Sequence, residues 1–221
     1  QKLEKLFEKL SNDKDSKSIQ QQFIITKQKR PYLYIKYNES MKQTLVKISF
    51  KTLGRNNPYS NALHLVEEIL SNGSSSRLFV LLRNKLAVTY FNTVSYDQFK
   101  DQGTFTITMG VDPKRVHQVI KAVLNEIKKL KTKKILKKEL NKIEKIRETN
   151  NIIRNETSIL ESLYSYGIDE LFSDEINYQI EDIKPLDIMN ICKEIFIPEN
   201  LNVFIMGDFN QKDEVIDVID N

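Results

Sequence analysis

Between Gly73 and Pro113 the chain reads GSSSRLFVLLRNKLAVTYFNTVSYDQFKDQGTFTITMGVDP. Leu78, Phe79, Leu81, Leu82 and Leu86 fall on one broad helical face, and Ser74, Ser75 and Ser76 stand before it as caps, so the stretch opens as a helix. The period then changes. Val88 to Tyr96 and Thr104 to Val111 alternate at period two around Asp101-Gln102-Gly103, the pattern of a β-hairpin. Asp112-Pro113 next supplies a cap and a proline at a first helical turn. Helix, hairpin and helix follow one another without a strict βαβ alternation, which points to an α+β fold.

Upstream, Asn57-Pro58 starts a helix whose stripe Ala62, Leu65, Val66, Ile69 and Leu70 runs to Gly73. Three strands are predicted before it, at Gln22–Thr26, Tyr32–Tyr37 and Leu45–Phe50. Leu3, Leu6, Phe7 and Leu10 give a short amphipathic helix over Lys2–Leu10, followed by a polar joint from Ser11 to Ser18. Downstream, the Asp112-Pro113 helix extends to about Leu130, a longer one runs from about Lys133 to Tyr164, and a third spans Asp182–Phe196. The apolar run Leu201–Met206 is a central strand, closed by Gly207-Asp208. The sum is a mostly antiparallel mixed sheet of about five to six strands with helices on one face.

The 221 residues suffice for one large domain or two small ones, and 40% hydrophobic content builds a core. Acid and base nearly cancel at a net +4, so no strong field argues for nucleic acid. No apolar run reaches the roughly 20 residues a membrane helix needs. A single cysteine, Cys192, cannot form an internal disulfide. The domain reads as soluble, and its opening at Gln1 with a charged helix-like segment reads as a chain whose native N-terminus lies further upstream.

Candidate chemistry is sparse. The only histidines, His64 and His117, fall on different helices. His64-Leu65-Val66-Glu67-Glu68 differs by one residue from His-x-x-Glu-His, in which two histidines on one helical face hold zinc and the glutamate acts as general base. With Glu68 in the second position, Glu144 completes a conceivable His64/Glu68/Glu144 metal set; the alternative is a helix face carrying one histidine and two acids. Cys192 lies among Ile188, Ile191 and Ile195 and reads as core. Lys128, Lys129, Lys131, Lys133, Lys134, Lys137 and Lys138 span a helix joint without interleaved aromatics and read as a solvated surface.

The segment from Leu65 to Pro113 resembles the second, non-catalytic half of pitrilysin/insulinase-family peptidases, whose usual form is close to L-x-x-x-L-G-G-G-x-S-S-R-L-F-x-x-L-R-E-K-x-G-L-A-Y-S-V. The likeness continues through the Lys-Lys-Glu-Leu stretch at 137–140, Glu161-Ser162, and Phe196 with Pro198, and covers about Lys42 to Asp208. In that family two similar halves face each other around a chamber, and one carries His-x-x-Glu-His. The resemblance therefore implies a joint over residues 1–18 from an upstream domain and a half-domain over 19–221. It implies no metal in this chain, zinc in a partner half on the same chain or another subunit, and a peptide substrate. The degenerate motif at His64 falls where the zinc motif lies by pseudo-symmetry.

The resemblance also implies roles for Arg83 and Tyr90, which match the family's Leu-Arg-x-x-x-x-x-x-Tyr spacing: both bind substrate backbone and stabilise the oxyanion formed at the facing zinc. Without it, Arg83 is a surface helix residue and Tyr90 a strand residue packing in the sheet. Three positions depart from the pattern. Ala87 replaces the glycine before the tyrosine, Val88-Thr89 replace Leu-Ala, and the glycine loop is reduced to Ser71-Asn72-Gly73. Alanine for glycine matters wherever the backbone needs a positive φ. A second reading is a non-peptidase scaffold subunit of the same family; retention of both Arg83 and Tyr90 argues against it.

Overall fold

A computed structural model describes residues 28–54, 57–99, 101–157 and 183–220. Within them five strands form one mixed sheet in the order β1-β5-β2-β4-β3. The strands are β1 (Tyr32–Tyr37), β2 (Thr44–Leu53), β3 (Thr89–Gln98), β4 (Gln102–Val111) and β5 (Leu201–Gly207). All neighbours are antiparallel except β1 and β5, where Tyr32 to Tyr37 run parallel to Asn202 to Gly207. The α+β reading and its strand count stand. The predicted helix at Lys2–Leu10, the joint after it and the strand at Gln22–Thr26 lie outside the described residues.

Period-two patterning decides which face is buried. Val46, Ile48 and Phe50 of β2 are at most 2% exposed, as are Phe105, Ile107 and Met109 of β4. The helices α1 (Ser60–Ser71), α2 (Val116–Thr132), α3 (Lys137–Thr157), α4 (Pro185–Ile195) and α5 (Lys212–Ile219) supply the other side of this core. Val66 and Leu70 of α1, Ile120 and Val123 of α2 and Ile188 of α4 are fully buried. Each such side chain contributes roughly 1.5–3 kcal/mol. Phe196 closes the end of α4, its ring edge-on to Phe50 at 4.9 Å and to Phe105 at 5.2 Å. On the opposite face a register row runs Tyr34, Phe204, Lys47, Thr108, Thr93.

Several boundaries move. The helix expected at Asn57-Pro58 starts at Ser60, because Asn57 Oδ1 accepts from the Tyr59 amide and holds a turn ahead of it. Asp112 caps as expected, accepting from Lys114 N at 2.9 Å, but a 3-10 turn over Pro113–Arg115 precedes α2. The long helix begins at Lys137 instead of Lys133 and is described to Thr157. α5, after Gly207, was not anticipated; buried Val215 and Ile219 make its apolar stripe.

The largest departure concerns the stretch after Ser76. The regular helix expected there is a π-helix over Phe79–Lys85, with Leu86 N bonded to Leu81 O five residues back. The serines do not cap it. Ser76 Oγ is buried without a partner among the described residues, and Ser75 Oγ accepts from Lys142.

Candidate functional site

Three backbone irregularities follow one another between Phe79 and Phe91. The π-helix carries Arg83, which is exposed and whose guanidinium sits 5.4 Å from the centroid of the Phe79 ring, a cation–π arrangement one turn back. After Leu86, Ala87 takes φ +49°, the only positive φ at a non-glycine position among the described residues. Such a left-handed turn costs an L-residue about 1–2 kcal/mol. The turn reverses the chain, and Val88 N reaches back to Leu82 O at 3.0 Å.

Next comes a β-bulge. Thr89 faces Val111 and Phe91 faces Gly110, so Tyr90 is an extra residue on β3 with no partner on β4. Unbroken alternation from Val88 to Tyr96 puts Tyr90 on the same face as buried Val94 and Tyr96. The bulge reverses that phase, and Tyr90 is 62% exposed instead. Read without the resemblance, Tyr90 is a strand residue packing in the sheet; here it is a bulged residue whose side chain is exposed. Past the bulge the Phe91 ring lies over Gly110, where an added Cβ meets Phe91 Cε1 at 2.5 Å. Arg83 and Tyr90 thus stand on either side of one strained turn, both open to solvent.

Arg77 anchors the start of this segment. Its Nε and Nη2 bond the two Glu139 oxygens at 2.7 and 2.8 Å, and Nη1 lies 3.4 Å from Glu126 Oε1. Glu126 is 7% exposed and also accepts from Lys129 at 2.7 Å. Hydrogen bonding to Glu139, against the cost of burial, holds the Arg77 guanidinium above its ordinary value. The pairing ties the chain before the π-helix to α2 and α3. Its partners lie far apart in sequence, so no local signal revealed it.

The conceivable metal set does not assemble. Glu68 Oε1 is bonded to Arg147 Nε at 2.6 Å, while His64 contacts Glu67 at 3.3 Å and Gln98 at 3.2 Å and its ring packs tilted against Tyr96. Glu144 is exposed. Among the described residues no group of three or more histidine, cysteine or acidic side chains is placed to hold a metal ion. Among the described residues the His64/Glu68/Glu144 set does not fit zinc. Cys192 is fully buried, as its isoleucine neighbours implied, and burial pushes its thiol up to about 12. Among the described residues no helix is long and apolar enough to cross a membrane.

The sequence from residue 1 to 146 matches the family model described as the peptidase M16 inactive domain. The chain belongs to that family. No curated protein matches it. The M16 fold itself is shared with a Helicobacter pylori protease at TM-score 0.72 and 21% identity, over 92% of this chain and 52% of that one. A peptidase M16 inactive domain from Pseudomonas fluorescens gives TM-score 0.71 and 16% identity, over 82% and 44%. A chain of complex III2 from Candida albicans gives 0.67 and 13%, over 84% and 49%. The M16 domain described here therefore spans about half the length of the solved chains it resembles.

Proposed function

We propose that this M16 domain is the catalytically incomplete, substrate-binding half of a zinc metalloendopeptidase. In this reading residues 19–221 form the half-domain and residues 1–18 join it to a catalytic half carrying His-x-x-Glu-His. That half supplies the zinc. Arg83 and Tyr90 contact the backbone of the peptide. The observation that carries the reading is their placement: two exposed donors at the family spacing, one on a π-helix and one on a bulge, across a single left-handed turn. Backbone irregularities of these kinds recur where side chains are aimed at ligands.

The chemistry suits them. Arg83 is permanently charged, planar and rich in donors, and Tyr90 offers a phenolic O–H. A peptide carbonyl gains negative charge on its oxygen as it becomes tetrahedral, and fixed donors act most strongly at that stage. Losing one such donor costs about 10²–10³ in kcat. The isolated chain is expected to be inactive. Supplied with its catalytic half, the protein should lose peptide cleavage on Arg83→Ala and on Tyr90→Phe; full activity of the double variant would sink the assignment. The scaffold alternative is separated by zinc analysis of the assembled protein, where stoichiometric metal favours the peptidase.

A further inference from the structure

We propose that Arg115 is a positioning residue: it clamps the left-handed turn at Ala87 and so fixes how Arg83 and Tyr90 are disposed, a role that rests on the reading of those two as substrate contacts. Arg115 Nη1 reaches the Ala87 carbonyl oxygen at 3.4 Å, and its Nε donates to Gln118 Oε1 at 3.0 Å, which orients the guanidinium. The chain returns Arg115 to this point by a short, fixed route. β4 ends at Val111, the residue paired with Thr89 beside the bulge, and the Asp112-capped turn follows at once, with Arg115 N bonded to Asp112 O at 2.9 Å.

Position 115 is an unfavourable place for a cation. It is the N-cap of the 17-residue helix α2, whose first turn holds no acidic side chain, so the helix dipole opposes the charge there. Arg115 makes no capping bond either. A partner that accepts from the guanidinium offsets this, and the Ala87 carbonyl is one. The turn needs such support more than a glycine turn does, because the alanine Cβ strains the backbone at φ +49°. Its other bonds, from Leu86 N to Leu81 O and Val88 N to Leu82 O, are made within the π-helix and turn, so among the described residues the bond from Arg115 links the Ala87 carbonyl to the start of α2.

The test uses the protein together with its catalytic half, comparing Arg115→Ala, Arg115→Lys, Ala87→Gly and the Arg115→Ala/Ala87→Gly pair. Hydrogen exchange over residues 86–89 should quicken about threefold in Arg115→Ala, the size of one long, solvent-exposed hydrogen bond, with β2 and β5 unchanged. Arg115→Lys, which keeps a donor, should show a smaller rise and carries the test if the alanine variant does not fold. Ala87→Gly should bring both exchange and kcat of the pair back towards the parent. Unchanged exchange in Arg115→Ala, or altered exchange without any fall in kcat while Arg83→Ala is crippled, overturns the proposal. A clear exchange response with full cleavage by Arg83→Ala/Tyr90→Phe overturns the site reading instead and leaves the clamp standing.

Discussion

Glu68 and Arg147 hold each other across α1 and α3, the carboxylate Oε1 lying 2.6 Å from the guanidinium Nε. Both side chains are about four-fifths buried, and Glu68 Oε2 has no partner among the described residues. The ion pair therefore joins the helix that bears the degenerate zinc-like motif to the helix that bears Glu144. Removing Arg147 leaves the whole carboxylate uncompensated in a part-buried site. Arg147→Ala should lower stability by roughly 1–3 kcal/mol, seen as a melting temperature lower by several degrees. A melting temperature equal to the parent's refutes this.

Two glycines on β4 should respond very differently to alanine. A Cβ at Gly103 meets Thr52 Oγ1 at 2.6 Å and the backbone oxygens of Asp97 and Leu53, each at 2.8 Å, on the two strands paired with β4. At Gly110 the obstacles are side chains, the Phe91 ring and Gln43 Oε1, and Phe91 is 43% exposed and free to swing outward. Gly103→Ala should cost about 2–3 kcal/mol and Gly110→Ala under about 1 kcal/mol in urea titrations. Equal costs contradict the contact geometry.

Cys192 makes stability fall at alkaline pH. Burial raises its thiol from 9.0 to about 12, so the native state keeps a proton that the unfolded chain releases. The contribution is intact below pH 9 and is lost as pH rises from there towards 12, with a slope of at most about 1.4 kcal/mol per pH unit. Between pH 8 and pH 10 the parent should lose roughly 1 kcal/mol more than Cys192→Val in chemical denaturation. Parallel losses in the two proteins count against it.

Much of the fold was legible because it rests on local periodicity. Ile48 and Phe50, Ile107 and Met109, and the stripe of α2 announce their buried faces by spacing alone. The site was legible only as residue types at a spacing. A π-helix has no pattern of its own, and Leu78, Phe79, Leu81, Leu82 and Leu86 read equally well as a wide α-helical face. The bulge hides for a similar reason: Val88, Tyr90, Asn92, Val94 and Tyr96 keep one phase in sequence, while the extra residue reverses it in space. Ala87 gave the one local hint, since its place in the family pattern belongs to glycine. The pairings Arg77–Glu139 and Glu68–Arg147 join residues far apart in the chain, beyond the reach of any window reading.

The strand order also governs when the sheet can form. β5 lies between β1 and β2, so Tyr32 and Leu45 meet no common neighbour until Asn202 and Met206 arrive. During synthesis the hairpin of β3 and β4 can close early and recruit β2, but β1 must wait for β5, far downstream in the chain. Closing so long a loop is entropically slow. Assembly of this sheet therefore finishes beside its edge, and a ribosome that stalls before Leu201 leaves β1 without the strand it pairs with.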